Sequence, residues 1–428
     1  MSTTQTGTSN PWWRALVAGM ASYIDAAAIV SSGIAIVIMQ AEFHLGAGEV
    51  GLVSSLLTFA VAIGAATGGT LGDRFGRRRV FLVTMTVIVI AAILLVSTPN
   101  FALYVVGIVL MGLGTGADLP ASLATISEAA KEGNRGGLIS FSHILWKVGT
   151  IVSQVLGALF GDSGRLGEQI LFGHIGLIAL LVLLGRLTMP ESERWVEINA
   201  AAKRDSSRVR STGKLSSLFR KPFVIPFVGL IVFYSLVNLG MNTNGQFGAL
   251  MFTQAAGTSV SFYSTVGLVT TVIGFLLSFV LLKTMDGPHR MQWFILGASC
   301  ALIGSFLPMV FGPTTFTLTA MLVLWAVAAV FAGEPLMKVW AQESFPTLLR
   351  STAQGAIIAV ARVAAAVLAL VTPFILAAGP RVLFASILGM AAVAYVTAYL
   401  VFRNRRSTEF ELEDETLGDA EVGTADGS

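Results

Sequence analysis

Twelve apolar runs, separated by short polar or charged clusters, dominate this chain of 428 residues. They lie near 13–40, 48–71, 80–97, 102–127, 138–161, 168–188, 222–253, 260–282, 292–311, 315–341, 351–377 and 382–402. Each is close to the roughly twenty apolar residues that carry an α-helix across a bilayer. Backbone polar groups in lipid must be satisfied within their own segment, so runs of this length become helices. Only 12% of residues are charged, about half the share of a soluble domain. The expected class is an all-α multi-pass membrane protein whose solvent is lipid.

The charges sort by loop. Arg74, Arg77, Arg78 and Arg79, then Lys131 and Arg135, then eight lysines and arginines from Arg194 to Lys221, then Arg290, Arg350, Arg403, Arg405 and Arg406 fall on alternate connections. The opposite loops carry Arg165 and Arg381. Positive charge marks the cytoplasmic side, so both termini are expected there, in a plasma or inner membrane. Residues 1–10 lack the basic and apolar regions of a cleaved signal, and Trp12, Trp13 and Arg14 read as interfacial anchors. The tail from 404 to 428 is acidic and small-residue rich, and is expected to be disordered. Cys300, the single cysteine, excludes an intramolecular disulfide and a thiol metal cluster.

The chain also repeats. Glu128 and Arg135 return as Glu343 and Arg350 at an offset of 215, and the arginine-rich hinge Gly68 to Phe81 has a weaker echo at Lys283 to Arg290. Two matched halves signify a transporter made by duplication, with its binding site between them. The expected division is residues 1–189 and 222–403 as two pseudo-symmetric six-helix bundles, joined by a basic cytoplasmic linker at 190–221.

Ionisable groups inside membrane helices cost about 3 kcal/mol each and mark function by default. Asp25, Asp118, Lys147, Glu334, Lys338 and Arg362 are such groups. The repeat relates Lys147 to Arg362 and brings Asp118 within one residue of Glu334. Each half thus places an acid on one helix and a base on the next, as neutralising pairs or as working groups. Asp25, near the middle of helix 1 with no base at helical spacing, is the first proton-coupling candidate, and Asp118 the second. His143, Lys147, Thr150 and Gln154 form one polar stripe on helix 5, beside Trp146. Helix 4 shows Thr115, Asp118, Ser122 and Thr125. Helix 7 reads Asn238-Leu-Gly-Met-Asn-Thr-Asn-Gly-Gln-Phe247. Its four amides and two glycines predict a broken, cavity-lining helix, and amides both donate and accept, which suits hydroxylated ligands.

Four motifs resemble the major facilitator superfamily, its sugar-porter branch most of all. Gly72-Asp-Arg-Phe-Gly-Arg-Arg-Arg79 matches the loop 2–3 signature, and Glu128-Ala-Ala-Lys-Glu-Gly-Asn-Arg-Gly136 resembles the end of helix 4. Pro190-Glu-Ser-Glu-Arg-Trp195 is similar to the signature after helix 6, and Glu343-Ser-Phe-Pro-Thr-Leu-Leu-Arg350 to that after helix 10. The resemblance implies the major facilitator fold. It also implies a cytoplasmic ion-pair gate of Asp73, Arg77, Arg78, Glu128, Arg135, Glu191, Arg194, Glu343 and Arg350. Ser22-Tyr-Ile-Asp25 resembles the helix 1 proton site of proton-coupled sugar porters, although their partner arginine in helix 4 corresponds here to Ile108. His143 and Thr150 fall where that branch has sugar-binding glutamines. Gly240-Met-Asn242 resembles its Gly-Ile-Asn, with Leu236 and Val237 in place of a preceding glutamine pair.

With no phosphate loop, metal cluster or nucleophile triad in view, an ATP-driven pump or membrane enzyme is not expected, nor a cofactor or a nucleic-acid partner. The expected function is proton-coupled import of a sugar or cyclic polyol such as an inositol, by a chain working as a monomer. The substrate-binding set would be His143, Trp146, Lys147, Thr150, Gln154, Asn238, Asn242, Gln246, Glu334 and Arg362. An organic-anion symporter is the alternative, with Lys147, Arg362 and His143 supplying charge. A drug antiporter fits less well, because its pocket would be mainly apolar.

Overall fold

The computed structural model describes residues 11–129, 135–189, 191, 196, 215–284, 289–345 and 347–403. Twelve helical stretches among them are long and apolar enough to cross a membrane. Six fall in the first half: α1 (Pro11–Phe43), α2 (Ala47–Phe75), α3 (Arg77–Ser97), α4 (Phe101–Ala129), α5 (Arg135–Phe160) and α6 (Arg165–Leu187). The second half holds α7 (Val224–Leu250), α8 (Val260–Thr284), α9 (Arg290–Phe311), α10 (Thr315–Phe331), α11 (Glu334–Ser344), α12 (Thr347–Ala378) and α13 (Pro380–Phe402). The tenth crossing is shared by α10 and α11. Trp12 and Trp13 are exposed at the start of α1.

Two features of the expected helix plan are corrected. The seventh helix runs unbroken through Asn238–Phe247, and its irregularity is a π-helical turn at Met251–Ala255. Its amides are side-chain groups and leave the backbone closed: Gln246 Nε2 donates to Thr58 Oγ1 at 2.8 Å, while the buried Asn244 amide has no hydrogen-bond partner among the described residues. The break falls instead in the tenth crossing, at Ala332 and Gly333. Pro335, in the first turn of α11, has no N–H with which to continue a helix from α10.

The arginine-rich hinge is a tight corner made by one residue. Gly76, at φ 95°, ends α2 and starts α3, a conformation that favours glycine, and its N–H bonds Gly72 O at 3.1 Å. Beyond it, α3 is clamped to α6 at both ends. Glu191 accepts the Arg77 N–H at 2.8 Å and the Arg78 N–H at 3.3 Å, satisfying donors at the α3 N-terminus. Arg78 Nη2 in turn donates to Leu187 O, at the end of α6, at 3.1 Å. At the far end, Arg165 Nη2 donates to the carbonyls of Leu95, Val96 and Thr98 at 3.0–3.3 Å, and Gln169 Nε2 to Val96 O at 3.0 Å. Small residues set the neighbouring seam: a Cβ on Gly68 would run into Ala117 O, and one on Gly116 into Val61 O, so α2 and α4 cross backbone to backbone.

The chain forms two compact units. The first combines the described residues of Met1–Val209 with Thr243–Val272 and Ala366–Pro380, and the second holds Arg210–Asn242, Ile273–Ala365 and the described part of Arg381–Ser428. This partition differs from a cut at 190–221, since α7, α8 and α12 each contribute to both units. Within the first unit the added segments are bonded to the first six helices. Besides Gln246 to Thr58, Gln254 Nε2 donates to Gln40 Oε1 at 2.9 Å. The second unit is built around aromatic rings: Trp340 stacks on Phe402 at 4.5 Å and meets Phe233 and Phe294 edge-on.

Asp162, in the turn after α5, makes a further bond within the first unit. Its Oδ1 accepts the N–H groups of Val260 and Ser261 at 2.9 and 3.3 Å, while Ser259 Oγ accepts that of Phe262 at 3.1 Å, so the first turn of α8 is fully capped. Burial opposes the charge, but the hydroxyls of Ser261 and Ser259 and the two backbone donors outweigh it, and the carboxyl titrates below its ordinary value. A depressed folded-state pKa stabilises above the unfolded value near ~3.9 and is lost as pH falls through the folded one. Asp162→Asn is expected to lower thermal stability in detergent at pH 7 by about 1 kcal/mol or less, the bond being exposed and screened. The difference should shrink between about pH 4 and pH 3. An equal difference at pH 7 and pH 3 would show that the charge plays no part.

Candidate functional site

Mid-membrane polar groups gather in three places, two in the first unit and one in the second. In the first unit, Asp25 of α1 is 3% exposed and receives the Trp146 indole N–H of α5 at 3.3 Å. Lys147 Nζ lies 5.3 Å from the Trp146 ring centroid, within cation–π range. The α5 stripe divides along its length: His143 is exposed and Lys147 half-buried, whereas Thr150 and Gln154 are buried. Thr150 Oγ1 bonds the Trp146 carbonyl of its own helix at 3.2 Å, and Gln154 packs on Gly267 of α8. Deeper along α1 and α5, Ser31 Oγ donates to Ser153 Oγ at 3.2 Å. Ile108 of α4 is fully buried and lines a small recess with Ser32, Ser54 and Gln246.

Asp118 sits elsewhere in the same unit, and its partner is one that sequence reasoning missed. Arg186 of α6 holds it in a bidentate pair: Nη1 bonds Oδ1, and Nη2 reaches Oδ2 at 2.8 Å. Nη2 also donates to Ser122 Oγ at 3.0 Å, Thr84 Oγ1 donates to Oδ1 at 2.7 Å, and the guanidinium lies 4.2 Å from the Phe81 ring centroid. Arg186 is 0% and Asp118 1% exposed, so this is a fully buried ion pair tying α3, α4 and α6 together, with the Arg186 Nε the one guanidinium nitrogen left without a hydrogen-bond partner among the described residues. The expected neighbour on helix 5, Lys147, takes no part in that pair. Thr115 and Thr125 bond carbonyls of their own helix.

The second unit holds the third group. Glu334, at the start of α11, pairs with Lys338 one turn on, Oε1 to Nζ at 2.7 Å, and its Oε2 accepts the Tyr234 hydroxyl at 3.2 Å. The base in that pair is on α11 itself. Arg362 lies near the middle of α12 and is part-buried. Tyr234, Asn238 and Asn242 recur every four residues along α7 and share a face. Lys338 and Tyr234 join the expected site residues here; the spacing of Tyr234 to Asn238 was the available signal for the second.

Among the expected gating residues, Arg77, Arg78 and Glu191 meet in the capping contacts described above. Glu343 takes Arg290 in a bidentate pair at 2.6 and 3.0 Å. That pair lies wholly in the second unit and the Glu191 contacts wholly in the first. Arg194 lies outside the described residues, as do the side chains of Asp73, Glu128, Arg135 and Arg350, the tail from 404 and most of the 190–221 linker.

Twelve crossing helices, with ionisable groups held between them, define a multi-pass membrane protein of the transporter type. The sequence profile of the Major Facilitator Superfamily matches residues 15–369. The chain belongs to this superfamily and is a membrane transporter, not an enzyme. It is 28% identical over 417 residues to the minor myo-inositol transporter IolF of Bacillus subtilis (strain 168), covering 94% of this chain and 93% of that one. It is 24% identical over 418 residues to the glucose transporter GlcP of Staphylococcus epidermidis (strain ATCC 12228 / FDA PCI 1200), covering 89% and 93%. In fold it is similar to a crystal structure of a D-xylose-proton symporter, with a TM-score of 0.74, 21% identity, and 92% and 98% of the two chains covered.

Proposed function

We propose that this transporter imports a small hydroxylated solute, a sugar or cyclic polyol such as an inositol, together with protons, by alternating access. It acts as a single chain in the cell membrane with both termini cytoplasmic, the side its basic loops favour. The observation that carries the reading is Asp25, a carboxyl held mid-helix at 3% exposure against Trp146. An ionisable group so placed is retained for work rather than for stability. The relatives named for myo-inositol and glucose support the substrate class, as do the amides of α7.

In this reading Asp25 carries the proton. Asp118, with both oxygens committed to Arg186, braces its bundle instead. His143, Lys147, Thr150, Gln154, Asn238, Asn242 and Gln246 supply substrate contacts, with Trp146 as positioning residue for Asp25. Asp73, Arg77, Arg78, Glu128, Arg135, Glu191, Arg194, Glu343 and Arg350 supply the cytoplasmic gate, whose exposed pairs, worth at most about 1 kcal/mol each, are weak enough to break in every cycle.

The test is uptake by proteoliposomes of labelled myo-inositol and glucose, set against small carboxylates, with and without an imposed proton gradient. Gradient-dependent accumulation of a hydroxylated solute is expected. Uptake that ignores the gradient would remove proton coupling, and uptake of apolar cations alone would replace the import reading with drug export.

A further inference from the structure

In the first unit, helix pairs α1 and α7, α2 and α12, and α5 and α8 meet with almost no side chain between them, each in the half of the helices away from the Gly76 corner. A Cβ on Gly33 of α1 would come within 2.7 Å of Gly245 O on α7, closer than such atoms approach, and one on Gly51 of α2 would run into Leu370 O on α12. On α5, a Cβ on Gly157 would fall 2.5 Å from Ser264 Oγ of α8. Glycine lets these helices touch closely and packs the seams tightly. The seams join the first six helices to α7, α8 and α12, so they must part whenever that end of the unit opens.

Polar atoms in the same seams are left out of this arrangement. Asn244 of α7, Gln154 of α5 and Ser264 of α8 are 7%, 5% and 0% exposed. Among the described residues, neither amide atom of Asn244, nor Gln154 Oε1, nor Ser264 Oγ has a hydrogen-bond partner. They stand at the glycine contacts: Gln154 packs on Gly267 of α8, Ser264 faces Gly157, and Asn244 precedes Gly245. A buried polar group without a partner forfeits the hydrogen bonds that water would give it, and regains them when the seam parts. The bonds of Asp162 to Ser261 and of Gln254 to Gln40 lie at the exposed rim, where water replaces a lost partner at little cost.

We infer that these seams form a gate loaded against its own closure: the glycine contacts hold it shut, while Asn244, Gln154 and Ser264 draw it open towards water. The two tendencies offset each other, so the closed and open forms stay close in free energy and both can be populated in a transport cycle. The gate rests on the alternating access proposed above and is independent of the solute carried. Substitutions in the two sets of residues therefore act with opposite sign.

Thiol labelling of the purified full-length chain in detergent tests this. Cys300→Ser removes the native thiol, and Ser54→Cys places one on α2 at a buried position that shares a small recess with Gln246 of α7. Its labelling rate follows the fraction of molecules in which the seam is open. Ser264→Ala and Asn244→Leu, which remove polar atoms that only the open form hydrates, should each slow labelling about fivefold or more. Gly33→Ala and Gly51→Ala, which force the helices apart, should each quicken it about tenfold or more. Monodisperse elution and unchanged helical circular dichroism identify the folded variants; if neither glycine variant folds, Ser264→Ala and Asn244→Leu decide. Labelling that neither polar variant slows overturns the gate, since those groups would then be satisfied in the closed form, and so do folded glycine variants that label no faster. Solute uptake is read separately in proteoliposomes: labelling shifted as expected, with no hydroxylated solute taken up by the native chain, leaves the gate standing and removes the polyol reading.

Discussion

Arg186→Met is expected to destabilise the protein by about 3–5 kcal/mol, because it strands the Asp118 carboxylate in a site with no water to receive it. Asp118→Leu should cost a similar amount by stranding the guanidinium. The combination Asp118→Leu with Arg186→Met should recover most of the loss, since an apolar pair of similar volume asks no solvation of its surroundings. Thermal unfolding in detergent across this double-mutant cycle measures the coupling. A double variant as unstable as the sum of the two singles would show that the groups do not act as a pair. The same variants separate bracing from transport. If the folded double variant still accumulates substrate against its gradient, Asp118 is not the proton carrier.

That pair shows where the sequence is legible and where it is not. The twelve crossings were readable because lipid forces long apolar runs into helices, and the structure moves most of their ends by only a few residues. Asp118 was equally visible, as an acid in an apolar run. Its partner was not: Arg186 lies near the end of the sixth run, where an arginine ordinarily reaches back to the interface, and only tertiary packing shows it turned inward to 0% exposure. The 215-residue offset pointed to Lys147 instead, because a repeat reports ancestry and not which rotamers meet. Glu168 and Arg165 were missed for the same reason. Glu168 is fully buried at the start of α6, with Arg165 3.1 Å away.

Helix 7 makes the complementary point. Four amides and two glycines there predict a broken backbone, yet the helix is continuous, since polar side chains leave the main chain free to keep its own bonds whether they find a partner, as Gln246 Nε2 does, or not, as with Asn244 among the described residues. The break in the tenth crossing carried only Gly333 and Pro335 as signals, and the charge of Glu334 drew the reading to chemistry rather than geometry. In the gate, the family resemblance singled out Glu191 and Arg78 as members of ion pairs. The structure shows Glu191 serving backbone N–H groups, and Arg78 a helix-end carbonyl. Each is a capping role that net charge alone does not reveal.

Asp25→Asn is expected to abolish uphill accumulation while leaving exchange of substrate across the membrane intact. One proton crossing 100 mV supplies about 2.3 kcal/mol, enough to concentrate a neutral solute roughly fifty-fold, so the variant should fall from tens-fold accumulation to none. The asparagine matches the carboxyl in size and can still accept the Trp146 indole N–H, found at 3.3 Å in the native protein, so packing between α1 and α5 should survive. What it cannot do is alternate between a charged and a neutral form, and only that alternation ties proton movement to the reorientation of the carrier. A structural role for Asp25 predicts a different pattern, in which binding and exchange fail along with accumulation and thermal stability drops. Exchange and gradient-driven uptake measured in the same vesicles distinguish the two, and normal gradient-driven uptake by Asp25→Asn would refute the assignment. Trp146→Phe refines the test. It removes the indole N–H but keeps an aromatic ring beside Lys147, so an altered pH dependence of uptake with unchanged exchange would place Trp146 as the group that positions the carboxyl.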